Sequence, residues 1–181
     1  MLNLAPKLLA AALCVGCAPL YAQPAFPVKP IRLVVPFPPG GGNDLLARAI
    51  GQRLAEVVNQ QVIVDNRGGA GGALGAQIAA TAAPDGYTLF LGSLGNLAQN
   101  PLLQEKPIYD PVRDFAAVTL LATSVFVLVV NNSVPAKTIP EFIALAKAKP
   151  GTLNYGSAGV GSSVHLAPEI FKYSKIGRAH V

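Results

Sequence analysis

The chain alternates short aliphatic runs with amphipathic stretches, and turns rich in glycine and proline separate them. Ile31–Val35 reads as a short, mostly aliphatic strand, residues 44–58 have apolar positions at helical spacing, and residues 62–64 are aliphatic again. An alanine-rich stretch at 73–82 and a third predicted strand at 87–91, with aromatic and aliphatic residues, repeat this order. The order strand, helix, strand, helix, strand predicts an α/β fold with a parallel sheet of buried strands.

The later part of the chain contains two further extended runs, at residues 117–121 and 125–130. The second run is short and β-branched, which predicts a buried strand and not a membrane span. Thr138 and Glu141 then have the spacing of a helix capping box, and this spacing predicts a helix over residues 141–148.

Residues 1–22 have the pattern of a secretory signal, in which Lys7 precedes a short apolar core and small residues lead to Ala22. The core is too short to span a bilayer, so we expect cleavage near Ala22 and an extracytoplasmic mature protein. Both cysteines, Cys14 and Cys17, lie within this segment. A lipoprotein anchored at Cys17 is the second interpretation, and a short N-terminal anchor or buried helix is the third.

The formal charge of +5 overstates how basic the mature chain is. Lys7 lies in the leader, and Lys175 and Arg178 lie at the C-terminal end, so the remaining balance is 14 − 3 = 11 basic against 9 acidic residues. These basic residues are scattered and do not alternate with aromatic ones, which argues against nucleic acid as a partner. Residues 176–181 match one reading frame of a common short-read sequencing adapter, so we expect a non-native tail, with a genuine short tail as the alternative.

The first candidate site is the segment 35–44, which leads from the end of a predicted strand to the start of a predicted helix. Ligands of open α/β sheets collect at this edge, and a helix start offers unpaired N–H groups to a carboxylate or phosphate. Gly40 and Gly41 allow the backbone to approach a ligand. Asn43 is the expected N-cap, and Asp44 could accept a hydrogen bond from a ligand hydroxyl. The alternative is a tight turn without a ligand.

The second candidate site is a glycine-rich loop between a short predicted strand at 153–155 and a predicted helix that begins near Ser162. Ser157 and Ser162 add hydroxyl groups to this helix start, and two such loops could hold a small anion between them. Ordinary N-capping by Ser162 is the alternative. His165, one turn into the helix, is expected to be a packed or surface residue and not a catalytic base.

Two further glycine-rich turns carry a weaker signal. Residues 68–72 contain four glycines, but no Lys and Ser or Thr follow them as a phosphate loop requires, so we interpret them mainly as a structural turn. Ser93 and Asn96 follow the third predicted strand and could donate neutral hydrogen bonds to a ligand, with turn formation as the alternative. Because the sequence also lacks a nucleophile elbow and a metal motif, we expect no catalytic residue, no metal and no cofactor.

Five segments, taken in order, resemble the Bug-type solute receptors of tripartite tricarboxylate transporters. They are residues 35–44, 64–67, 83–87, 109–115 and 153–167, and the resemblance covers roughly residues 24–173. It implies a two-lobed periplasmic-binding-protein type II fold that closes on a ligand, with lobe 1 over 23–123 and a partial lobe 2 over 124–175. Because family members are longer, it also implies a C-terminally truncated chain whose second lobe is incomplete.

The resemblance implies a periplasmic receptor that captures a small carboxylate for membrane transporter subunits and acts as a monomer. A secreted α/β enzyme acting on a small anion is the alternative function. Asn43 stands where the family usually has Thr or Ser, and Gly69 replaces a common Pro. The residues that match the family's ligand-binding positions are Phe37, Pro39, Gly40, Gly41, Asp44, Ser93, Asn96, Ser157, Ala158, Gly159 and Ser162.

Overall fold

A three-stranded parallel sheet lies at the centre of the structure, a computed structural model that describes residues 26–177. Its strands are β1 (Ile31–Val35), β2 (Val62–Asn66) and β3 (Thr88–Phe90), and β1 lies between the other two in the order β2-β1-β3. Both pairs are parallel, which confirms the predicted class of fold. The interior strand is aliphatic at every position except Arg32, a composition that suits a strand covered by neighbouring strands and helices.

Two helices connect the three strands. Helix α1 (Gly42–Val58) joins β1 to β2, and helix α2 (Ala73–Ala80) joins β2 to β3. Two hydrophobic clusters fill the space around the sheet. The first contains Leu33 and Val35, and the second contains residues of α2 together with Tyr109. Each parallel connection is thus a strand–helix–strand unit.

The residues of α1 that lie closest to the sheet are small. Ala47 and Gly51 are buried, whereas the predicted apolar positions such as Leu46 are partly buried. The helix ends at Asn59, which adopts a left-handed conformation. Its N-cap is Gly41, so the expectation that Asn43 would be the N-cap is wrong: the helix already begins at Gly42, and Asn43 lies inside its first turn.

The segment after β3 begins with helical turns. Residues Gly95–Gln99 form a π-helical turn that continues into the short helix α3 (Asn100–Leu102). Further along, Phe115 stacks on Phe90 with ring centroids 5.3 Å apart. The ring of Phe115 thus packs on strand β3. No regular element follows until residue 139.

The prediction of a buried strand at 125–130 is wrong. Residues 117–130 form no strand, and their apolar side chains are exposed, as at Val125, which is 88% accessible. Aliphatic composition leads to burial only where other elements cover a segment, and no described element covers this one. The predicted strand at 153–155 is likewise absent, for the same lack of a pairing strand among the described residues.

The last part of the described chain is helical. Helix α4 (Ile139–Ala148) has Thr138 as its N-cap, whose hydroxyl accepts a hydrogen bond from the Glu141 N–H, and the Glu141 carboxylate accepts one from the Lys137 N–H. This confirms the predicted capping box. Helix α5 (Ser163–Phe171) runs into a π-helical turn over Lys172–Ile176. Within residues 26–177, no helix is long and apolar enough to cross a membrane.

Candidate functional site

The loop after β1 is held by side chains from two neighbouring elements. Asp44, which is 3% exposed, accepts hydrogen bonds on Oδ2 from the Gly40 N–H at 2.9 Å and from Arg48 Nε at 3.0 Å. The amide of Asn66 donates to the Phe37 carbonyl oxygen at 3.1 Å. These contacts hold both ends of the loop in the conformation seen here.

Asp44 is ionised over the whole physiological range. The hydrogen bond from Arg48, followed by that from the Gly40 N–H, lowers the pKa of Asp44 to about 2. Its second oxygen, Oδ1, is buried and has no hydrogen-bond partner within residues 26–177. One carboxylate oxygen of Asp44, Oδ2, therefore holds the loop in place, and the other, Oδ1, accepts no hydrogen bond from the described residues.

The helix start that follows faces open space. A Cβ placed at Gly40 or Gly42 would have no atom within 4 Å, and at Gly41 only the Pro38 carbonyl oxygen would be near, at 3.8 Å. Gly40 has φ of 86°, a conformation that favours glycine. The first N–H groups of any helix lack an intrahelical acceptor, and in α1 no side chain caps them. This is the geometry that an anion can occupy.

The second glycine-rich loop is closed by its own hydrogen bonds. Exposed Ser157 accepts from the Gly159 N–H on Oγ at 3.3 Å, and the Gly159 carbonyl accepts from the Ser162 hydroxyl at 2.7 Å and from its N–H at 3.1 Å. Ser162 is 1% exposed and occupies the N-cap position of α5, but its side chain makes no capping hydrogen bond. Its hydroxyl therefore tightens the loop.

This second loop is seated on the turn that follows β2. A Cβ at Gly71 would overlap the Val160 carbonyl oxygen and lie 3.1 Å from the Ser162 nitrogen. A Cβ at Gly159 would lie 3.3 Å from the Gly71 nitrogen. The glycine turn is a 3-10 turn over Ala70–Gly72 whose missing side chains make room for the other loop, so it has the structural role that the sequence predicts.

The loop after β3, which contains Ser93 and Asn96 and is called the intermediate loop below, packs against the second glycine-rich loop and the glycine turn. Ser93 donates its N–H to Asn96 Oδ1 at 2.8 Å, and Asn96 is fully buried with its Nδ2 atom lacking a partner in the described structure. A Cβ at Gly95 would lie 2.9 Å from the Ser163 nitrogen. The side chain of Asn96 thus lies in the protein interior beside the glycine turn, and the neighbouring Gly95 packs on the second glycine-rich loop.

The structure brings most predicted site residues to one region, but in two groups. The second and intermediate loops touch the glycine turn directly, whereas the first loop adjoins it through Pro36 and Pro38, which lie 3.3 and 3.1 Å from a Cβ at Gly72 and Gly68. No hydrogen bond within 26–177 joins residues 37–44 to 157–162. Pro39 and Ala158 are exposed and Phe37 is partly buried.

Two residues that support the site were missed in the sequence. Asn100, 4% exposed, donates to the Ala70 carbonyl at 2.9 Å and would lie 2.8 Å from a Cβ at Gly161. The hydroxyl of buried Tyr109 donates to the Asn96 carbonyl. Both lie in a proline-containing segment without periodicity, so only their tertiary contacts reveal their roles.

Tyr155 and His165 belong to a separate polar cluster beside the second loop. The Tyr155 hydroxyl donates to Glu169 Oε1 at 2.5 Å, and Lys172 Nζ donates to the same oxygen at 3.0 Å. The hydrogen bond to Glu169 raises the pKa of Tyr155 to about 12. His165 Nδ1 lies 3.4 Å from the Tyr155 hydroxyl, so His165 is a packed, partly buried residue, as expected.

Residues 46–180 match the family model described as "Tripartite tricarboxylate transporter family receptor". The chain is 43% identical over 143 residues to the UPF0065 protein in the tcbD–tcbE intergenic region of Pseudomonas sp. strain P51, covering 79% of this chain and 42% of that protein. It is 36% identical over 158 residues to Protein BugT of Bordetella pertussis, covering 87% and 48%. The chain thus spans a little under half the length of the curated relatives it matches.

Solved structures of similar proteins also match most of this chain and about half of their own length. A structure described as a periplasmic transporter matches with a TM-score of 0.75 and 40% identity over 83% of this chain and 51% of that one. Rpa4515 of R. palustris with adipate matches with a TM-score of 0.71 and 36% identity, covering 83% and 50%. MatC of Rhodopseudomonas palustris with bound malate matches with a TM-score of 0.72 and 34% identity, covering 81% and 50%.

Proposed function

The chain belongs to the tripartite tricarboxylate transporter family of receptors, and from this premise we propose that the protein captures a small carboxylate and delivers it to a membrane transporter. The observation that carries the proposal is the open, uncapped helix start at Gly40 and Gly41. A carboxylate there would accept from N–H groups that have no other acceptor and would lie at the positive end of the helix dipole. Two structures similar to this one hold adipate and malate.

The binding residues that we propose lie in three loops of the site described above. Phe37, Pro39, Gly40, Gly41 and Asp44 would shape or contact one end of the ligand. Their role is supported by the open space around the glycines and by the fixed conformation that Asp44 imposes. The unsatisfied Oδ1 of Asp44 would accept from a ligand hydroxyl or ammonium group if the loop shifts to expose it.

The other end of the ligand would meet the second and intermediate loops. We assign this role to Ser93, Asn96, Ser157, Ala158, Gly159 and Ser162. Hydrogen bonds to an ionised acceptor contribute about 1.5–3 kcal/mol each, so three or four of them would suffice for micromolar affinity, about −8 kcal/mol, after the entropy of ordering is subtracted. Lobes 23–123 and 124–175 would close when one ligand bridges these loops.

The same premise assigns the remaining properties. We propose a periplasmic location, membrane subunits of a tripartite transporter as partners, and no catalytic activity. A single copy would suffice to bind a ligand because all three loops belong to one chain. The predicted signal at 1–22 lies outside the described residues, as do the last four residues of the predicted tail. The enzyme alternative is not favoured, because the family consists of receptors.

Isothermal titration calorimetry of the wild-type protein tests the proposal. Adipate, malate and citrate are titrated separately, with adipamide as a neutral control of the same length as adipate. Saturable binding of at least one acid, no binding of adipamide, and recovery of the acid unchanged by NMR are expected. Chemical turnover of the acid, or equal binding of acid and amide, would contradict it.

A further inference from the structure

The side chain of Asn100 lies between the turn after β2 and the second glycine-rich loop. Asn100 is 4% exposed, and its Nδ2 atom donates to the Ala70 carbonyl at 2.9 Å. The same Nδ2 atom would lie 3.2 Å from a Cβ at Gly71 and 2.8 Å from a Cβ at Gly161. The amide group therefore fits closely between two glycines, one from the turn and one from the loop.

The far end of the Asn100 amide is also held. Gln104 donates its Nε2 to Asn100 Oδ1. A backbone carbonyl can only accept, so the amide must turn Nδ2 toward Ala70, and Oδ1 is then the atom that accepts from Gln104. Both polar atoms of this buried amide are thus used in hydrogen bonds. Asn100 consequently presents a donor to the turn in one orientation only.

The residue that Asn100 holds has an unfavourable backbone conformation. Ala70 has φ of 49°, a value that residues with a Cβ rarely adopt. Its carbonyl accepts from Asn100 Nδ2 and from the Ala73 N–H. Strained residues persist only where the surrounding structure fixes them, and Asn100 supplies the side-chain part of that constraint. The shape of the turn that continues through Gly71 therefore depends on Asn100.

The second glycine-rich loop meets these elements with its main chain. A Cβ at Gly71 would overlap the Val160 carbonyl oxygen, and a Cβ at Gly95 would lie 2.9 Å from the Ser163 nitrogen. Main-chain atoms cannot move away as a flexible side chain can, so the shape of the turn decides where the loop docks. Under the proposed division of the chain near residue 124, these contacts join lobe 1 to lobe 2.

We propose that Asn100 is a positioning residue for ligand capture, which keeps the second loop docked on lobe 1 by holding Ala70 in its left-handed conformation. This inference rests on the proposed function, in which one ligand bridges the first and second loops. If the turn relaxes, a ligand has to order the second loop itself, and its affinity falls by the fraction of molecules in which the loop is docked. Asn100 acts through Ala70 and needs no contact with the ligand.

Amide hydrogen exchange of the ligand-free 181-residue chain, measured by NMR, tests the positioning role without any ligand. The readout is the protection of the Gly161 and Ser162 amides, called the loop amides below, divided by the protection of the β1 amides in the same protein. Gly161 and Ser162 are both buried. The ratio separates undocking of the loop from a loss of global stability, which lowers protection throughout the fold.

Four variants are compared with the wild type. Asn100→Ala removes the donor to Ala70, and Gln104→Ala removes the group that holds the Asn100 amide. Ala70→Gly combined with Asn100→Ala tests the backbone strain, because Ala70 is exposed and glycine adopts a φ of 49° freely. Thr138→Ala is the matched control, because it removes the N-cap hydrogen bond of α4, outside all three loops.

The protection ratio of the loop amides should fall at least about tenfold in Asn100→Ala, and in the same direction in Gln104→Ala. Thr138→Ala should leave the ratio unchanged, although it lowers the free energy of unfolding. Adding Ala70→Gly should restore most of the protection that Asn100→Ala loses. An unchanged ratio in Asn100→Ala, or no recovery with Ala70→Gly, would overturn the proposal. Should Asn100→Ala fail to fold, an unchanged ratio in Gln104→Ala would overturn it.

Calorimetry with adipate and with malate tests the consequence for capture. The affinity for the acid that the wild type binds should fall at least about tenfold in Asn100→Ala, recover on adding Ala70→Gly, and stay unchanged in Thr138→Ala. Unchanged affinity in a variant whose loop amides have lost protection would overturn the link between loop position and capture. Binding of neither acid by the wild type would contradict the proposed function, whereas the exchange ratios alone decide whether Asn100 positions the second loop.

Discussion

Gly71→Ala tests whether the second glycine-rich loop rests on the turn after β2. Gly71 has φ of 63°, and its Cβ would overlap the Val160 carbonyl oxygen. Gly40→Ala is the control, because Gly40 also has a positive φ, 86°, but a Cβ there meets nothing within 4 Å. Both variants carry the backbone term of an L-residue in the left-handed region, about 1–2 kcal/mol. Only Gly71→Ala adds steric overlap, about 1–3 kcal/mol.

The free energy of unfolding, measured in urea, should therefore fall about 1–3 kcal/mol further in Gly71→Ala than in Gly40→Ala. For a chain of this size the difference corresponds to about 2–12 °C in Tm. If the loop moves away instead, the strain is relieved and hydrogen exchange at residues 157–162 should rise in Gly71→Ala alone. Equal stability and equal exchange in the two variants would refute the proposed packing of the loop.

Three further predictions concern the scaffold. Gly75→Ala should destabilise the fold by about 1–2 kcal/mol in urea, because its Cβ would lie 2.8 Å from two backbone atoms. Gly51→Ala should be neutral or stabilising, because its Cβ would lie 3.3 Å from a Val62 methyl group, a smaller overlap that the higher helix propensity of alanine offsets. Equal effects of the two variants would contradict this. The pKa of Asp44 is lowered from 3.8 to about 2, so the ionised carboxylate contributes to stability above pH 4, and this contribution is lost between about pH 4 and pH 2. Asp44→Asn should remove that part of the acid dependence of the unfolding free energy. An unchanged pH profile in the variant would contradict this role of Asp44. In an ultraviolet titration, subtracting the Tyr155→Phe curve from the wild-type curve should show a phenol with a pKa of about 12. Glu169→Gln should move the pKa of Tyr155 toward 10, because the charged acceptor of its hydrogen bond is removed. The same pKa of Tyr155 in wild type and Glu169→Gln would exclude the hydrogen bond.

The sheet could be predicted from the sequence because its information is local. β1 is aliphatic at every position except Arg32, the apolar spacing of α1 is helical, and proline and glycine mark the turns. The capping box at Thr138 was predictable for the same reason, since its hydrogen bonds join residues three or four apart. Periodicity and capping involve residues of one element only, so they can be recognised without knowing which elements pack against it.

The errors arose where the outcome depends on distant residues. Residues 125–130 have the composition of a buried strand, but burial also requires neighbouring strands, and no described residue provides them. Asn96 stays a predicted ligand contact, but the sequence does not reveal that its side chain is fully buried or that its Oδ1 accepts from the Ser93 N–H. The seat that Gly71 forms for the second loop joins residues about 90 positions apart, and no local pattern records such a contact.

The central claim is that backbone N–H groups at the start of α1 hold a carboxylate. Calorimetric affinity for the tightest-binding acid, measured for wild type, Gly41→Val and Ala49→Val, tests it directly. Gly41 is exposed and has room for a side chain, so valine would fill the proposed carboxylate position without disturbing the fold, while Ala49 is exposed on the helix outside the loop. We expect Gly41→Val to weaken binding at least about a hundredfold, the equivalent of one to two hydrogen bonds to an ionised group, and Ala49→Val to leave it unchanged. Equal affinity in all three proteins would contradict the account.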